Sequence, residues 1–215
     1  DALSAACAAW HGRKRHLKAV VRSMSDAIIE TSGLTKEFHG FTAVRDVALS
    51  VRRGTIHALI GPNGAGKTTC FNLITKFLQP TAGTIQFNGR DITRMKPADV
   101  ARLGLVRSFQ ISATFPNLTL IENVHFWRSQ RSLEVLNDRA AGYLAEVGLA
   151  EYAERPAVEL PYGRKRALEI ATTLALEPEM LLLDEPMAGM GREDIARVSA
   201  LIRKVAENRT VLMVE

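Results

Sequence analysis

The chain has 215 residues, 47% of them apolar and 24% charged, values that belong to a globular protein and exclude a disordered or fibrous one. No apolar run approaches the roughly 18 residues needed to cross a bilayer, which excludes a membrane-spanning helix, and the length supports one core with at most a small attached lobe. The net charge of +5 is concentrated in residues 1–23, where five basic residues face one acid, so the near-neutral body gives no reason to expect a nucleic-acid partner.

Residues 1–23, "DALSAACAAWHGRKRHLKAVVRS", place their basic residues after the apolar ones, the reverse of a secretory signal. They are expected to be a disordered extension ahead of a start at Met24, or the tail of a fused upstream domain. Cys7 and Cys70 are too far apart in sequence to make a metal or redox motif, which suits a reducing cytosol. The five histidines show no ligand spacing either.

From there the pattern alternates. "AIIETSGLTKEF" and "VRDVALSV" are strand-like runs rich in β-branched residues, separated by the turn-like "HGF". "TIHALI" is a short apolar strand that runs into a glycine-rich loop, and residues 66–78 then read as a helix. "GTIQFNGRDI" predicts a strand and turn, Pro97 opens a helix reaching about Arg102, and residues 105–109 form another short strand. Residues 119–149 are helical in period. After Pro156 and Pro161 a further helix, "GRKRALEIATTLALE", stops before Pro178. "MLLLDE" is a buried strand, "REDIARVSALIRKVAEN" an amphipathic helix, and "TVLMVE" a last buried strand. Strands alternating with helices predict an α/β fold with a mostly parallel sheet covered on both faces. The helix-only stretch from about 110 to 165 reads as an inserted lobe within one domain spanning residues 24–215.

The loop "GPNGAGKTT" contains Gly61, Pro62, Asn63, Gly64, Ala65, Gly66, Lys67, Thr68 and Thr69, and it fits the pattern G-x-x-x-x-G-K-[ST]. Its glycines let successive N–H groups turn inward onto phosphate oxygens, and the helix that follows adds its N-terminal dipole. Lys67 can reach the β- and γ-phosphates, and the Thr68 hydroxyl can ligate Mg²⁺. A second element should lie at the end of a neighbouring strand. In "LLLDE" the apolar run places Asp184 and Glu185 there, Asp184 to hold the metal or its water and Glu185 to orient and deprotonate an attacking water. A nucleoside triphosphate and Mg²⁺ are therefore the expected ligands.

Several further stretches resemble the ATP-binding-cassette ATPases. "LPYGRKRALEIA" is similar to that family's signature sequence and helix, "LVRSFQ" to its Q-loop, and "TLIENV" to the segment after it. The resemblance covers residues from about 27 to 215, with the motifs in family order. It implies a phosphate-loop core with an N-terminal antiparallel β lobe and an inserted helical lobe. It also implies that Phe38 stacks on adenine and that Gln110 contacts the metal and the attacking water. Leu160, Pro161, Tyr162, Gly163 and Arg164 would then face the ATP of a second subunit. Pro161 and Tyr162 replace the usual serine and glycine, while Gly163 still allows close backbone approach. Arg164, where glutamine is usual, is either a surface charge or a phosphate contact.

The form of the signature, "VRSFQ" and the "DEPMAGM" after the strand resemble the Liv-type ATPases of branched-chain amino-acid importers, although "RSQRSLEVLNDR" is shorter than its counterpart there. Urea and amide importers are the close competitor. A soluble cassette ATPase acting on DNA or ribosomes, or a small-molecule kinase, are the alternatives from other classes. The importer reading implies an ATP-hydrolysing subunit peripheral to the cytoplasmic face of the plasma (inner) membrane. Its partners would be transmembrane permease subunits, a second ATPase subunit in a homo- or heterodimer and, indirectly, a solute-binding protein. In the family a histidine follows the last strand, so the sequence is expected to be a fragment stopping at Glu215 before that residue and the C-terminal helices.

Overall fold

The computed structural model describes residues 26–108, 114–126 and 133–215, with side chains from 139 onward in the last stretch. The described residues open with a long hairpin, β1 (Ala27–Phe38) and β2 (Phe41–Arg52), closed by a two-residue turn. Both turn residues, His39 and Gly40, have positive φ, the geometry whose twist matches that of the flanking strands. β4 (Ala82–Phe87) pairs antiparallel with β1, and β5 (Arg90–Asp91) with β4, giving a four-stranded sheet of order β2-β1-β4-β5. This is the expected antiparallel lobe.

The second sheet is parallel and contains β3 (Ile56–Leu59), β6 (Leu105–Ser108), β7 (Met180–Asp184) and β8 (Thr210–Val214), in the order β3-β8-β7-β6. β7 and β8 are buried at every position, as central strands covered on both faces must be. Alternate residues serve opposite sides. Leu181, Leu183, Val211 and Met213 enter a core with the helical elements, whereas Met180, Leu182, Leu212 and Val214 enter a core with the antiparallel sheet.

Among the described residues six α-helices surround this frame. α1 (Lys67–Ile74) follows β3, α2 (Pro97–Arg102) starts at its proline, and α3 (Leu120–Phe126) and α4 (Leu133–Glu146) form the inserted lobe with α5 (Tyr162–Leu174). α6 (Arg192–Ala206) then leads to β8. The period over 119–149 thus resolves into two helices, with residues 127–132 outside the described residues. A capping box starts α3: the Thr119 amide donates to Glu122 Oε2 at 2.8 Å, and the Glu122 amide donates to Thr119 Oγ1 at 3.3 Å.

Two helices stop earlier than their sequence period suggests. α1 ends at Ile74 because Lys76 takes φ 66°, and α5 ends at Leu174, with Glu177 at φ 52°. A left-handed residue cannot continue a right-handed helix.

Candidate functional site

β3 delivers the chain into the phosphate loop, and α1 carries it away. Gly64 and Gly66 hold φ 83° and 85°, conformations that glycine adopts without strain. At Gly66 the requirement is also steric, since a Cβ there would collide with the carbonyl oxygen of Ala43 on β2. The loop wraps a hollow of about 230 Å³ lined by residues 62–69, Phe41, Ala43 and Glu185. Lys67 Nζ donates to the carbonyl of Gly61 and, at 3.2 Å, to that of Pro62. Its ammonium is therefore folded over its own loop.

Asp184 and Glu185 close β7, two strands from β3. Asp184 is 1% exposed and ion-paired with Arg107 of β6, and its Oδ1 is buried with no hydrogen-bond partner among the described residues. Glu185 sits at φ 44°, its amide bonded to the carbonyl of Val214 at 3.1 Å. A non-glycine residue in that region stores strain of order 1 kcal/mol, and such strain clusters at functional sites. The nearby Glu215 carboxyl is pushed above the ordinary range, by burial first and also by the Glu185 charge.

The signature segment lies apart from this hollow: none of residues 160–164 lines it. Leu160 is buried, Pro161 caps α5 in an extended conformation, and Tyr162 is exposed in the first turn. A Cβ on Gly163 would strike the carboxylate of Asp194 on α6, so the glycine also lets two helices of the same chain approach. The Arg164 guanidinium stacks over the Tyr152 ring at 4.3 Å, with Arg155 on the same ring at 5.3 Å. Arg166, two residues further on, pairs with Glu169 at 2.6 Å and donates to the main-chain oxygen of Asp184 at 3.2 Å.

Phe38 is not among the residues lining the hollow. It carries the Lys36 ammonium over its ring at 5.0 Å, while its cross-strand partner Phe41 faces the phosphate loop. Gln110 lies outside the described residues. Reading the sequence left Arg107 unused, although a lone arginine inside the buried run "LVRS" already demands a buried partner.

A glycine loop cradling a lysine between a parallel strand and a helix, with an acidic pair on a nearby strand, defines a phosphate-loop nucleoside triphosphatase. The chain belongs to the ABC transporter family, whose pattern it matches over residues 44–188, and it is an ATP-binding, ATP-hydrolysing domain. It is 38% identical over 211 aligned positions to the high-affinity branched-chain amino acid transport ATP-binding protein LivG of Salmonella typhimurium, covering 89% of this chain and 83% of that protein. The corresponding protein BraF of Pseudomonas aeruginosa is 40% identical over 214 positions, with the same coverages. Among solved structures, the ADP conformation of MJ1267, an ATP-binding cassette of an ABC transporter, superposes with a TM-score of 0.83 at 29% identity, covering 89% of this chain and 82% of that one.

Proposed function

We propose that this chain is the ATP-hydrolysing subunit of an importer for branched-chain amino acids, acting as one half of an ATPase dimer beneath transmembrane permease subunits. The observation that carries the solute class is the identity of 38–40% over 83% of the length of LivG and BraF, which are branched-chain amino acid transport ATP-binding proteins. Among the described residues no helix is long and apolar enough to cross a membrane, which suits a subunit held at the cytoplasmic face by its partners. A solute-binding protein would act on it only through the permeases.

In this reading residues 61–69 bind the triphosphate by their amides, and the Lys67 ammonium exchanges its loop carbonyls for β- and γ-phosphate oxygens. The unpaired, buried Oδ1 of Asp184 suits a divalent cation, and Thr68 and Asp184 would hold Mg²⁺ with Gln110 contributing. Bound there, Mg²⁺ supplies neutralisation of charge on the phosphates. Glu185 accepts a proton from the water that attacks the γ-phosphorus as the bond to the ADP oxygen breaks. Residues 160–164, with the N-terminus of α5, face the ATP of the second subunit, and Pro161 preserves that helix start. An aromatic ring from the hairpin, Phe38 or its neighbour Phe41, stacks on the adenine.

The test is reconstitution in liposomes with permease subunits and binding protein. Binding protein loaded with leucine should stimulate hydrolysis. Stimulation by urea or an amide instead would overturn the solute, and hydrolysis indifferent to permeases would overturn the transport role.

A further inference from the structure

Arg107 is a buried cation in the strand that neighbours the acidic pair. Its side chain is 11% exposed, and its guanidinium is divided between two elements. One terminal nitrogen pairs with Oδ2 of Asp184, and the other donates to Oδ1 of Asn72 on α1 at 2.5 Å. Its Cζ lies 5.9 Å from the centre of the Phe71 ring, also on α1. The cation thus ties the end of β7 to the helix that begins with Lys67 and Thr68.

The pairing treats the two oxygens of Asp184 unequally. Oδ2 is held, while Oδ1 is buried and has no partner among the described residues. A carboxylate with one oxygen fixed cannot turn freely, so its other oxygen keeps one direction. A buried acceptor left unpaired is unfavourable until a donor or cation meets it.

We propose that Arg107 is a positioning residue for the metal–nucleotide site. It locks Asp184 through Oδ2 so that Oδ1 alone is offered to the cation accompanying ATP, and it fixes that oxygen relative to α1. Lysine cannot do the same, because a point charge lacks the planar fork that reaches both Asp184 and Asn72. The inference rests on the reading of Asp184 as a metal ligand.

The test measures binding rather than turnover. The affinity of the purified full chain for ATP is titrated with EDTA and then with Mn²⁺ in place of Mg²⁺, for the parent, Arg107→Met, Arg107→Lys and Asn72→Ala, with thermal unfolding in parallel. In the parent Mn²⁺ should tighten ATP binding. Arg107→Met should keep the metal-free affinity and lose about 10–100-fold of the metal-dependent gain, the usual effect of removing a group that orients a metal ligand. Asn72→Ala, which keeps the charge, should lose part of the gain, and Arg107→Lys should recover little of it. A gain that is unchanged or increased in Asn72→Ala and Arg107→Lys, whatever their melting temperatures, would make Arg107 a purely structural cation and overturn the proposal. If Arg107→Met does not fold, these two variants decide the question. Failure of the parent itself to bind ATP would instead overturn the nucleotide reading of the site.

Discussion

At Lys67 the ammonium is already bonded to loop carbonyls, so a nucleotide gains only the difference between those bonds and its own charged oxygens. Charge-assisted bonds are worth about 1.5–3 kcal/mol net, so Lys67→Ala should weaken ATP binding roughly 10–100-fold in an equilibrium titration. Glu185→Gln keeps the shape of the hollow and removes the proposed base. ATP affinity should hold while single-turnover hydrolysis slows about 10²–10⁴-fold. Lys76 presents a different case: its buried ammonium has no partner among the described residues, and its backbone sits at φ 66°. Burial draws its pKa below the usual lysine range, partly opposed by Asp91. A base with a lowered folded pKa penalises folding wherever the unfolded chain is protonated, and the penalty fades as pH rises from the folded pKa toward the unfolded 10.5. Lys76→Gly relieves both the burial and the backbone strain. It should therefore stabilise the fold by about 1 kcal/mol or more in urea unfolding at pH 7, with the advantage shrinking near pH 10.

Among the elements, α3 depends most openly on its cap. Thr119 and Glu122 satisfy each other's amides, and the bonds from Thr119 hold the Glu122 carboxyl below the ordinary range. Thr119→Ala should cost about 0.5–2 kcal/mol in denaturant unfolding, since it leaves an orphan amide at the helix start. What could be read in the sequence was whatever is local: the phosphate loop, the strand ending in Asp184 and Glu185, and the helix opened by Pro97. The ends of α1 and α5 could not be read, because a left-handed lysine or glutamate has no sequence signal comparable to glycine. Nor could contacts that need the folded register, such as Asp194 against Gly163, Arg107 between Asp184 and Asn72, and Phe41 rather than Phe38 at the hollow. The glycine of the signature was legible as a point of close approach, but not that one of its neighbours is a helix of its own chain.

For the whole molecule the parallel sheet is the shared wall of two cores, with β7 and β8 feeding alternate side chains to each. Neither core can open without disturbing the wall, and the acidic pair hangs from its end. In hydrogen–deuterium exchange the amides of residues 181–183 should therefore be among the last to exchange, at rates set by global unfolding. Those of residues 62–66, in a loop bonded mainly to itself, should exchange through small local openings, far earlier. In the proposed function the nucleotide would thus be met by a loop that opens readily, and cut by groups anchored in the wall that opens last.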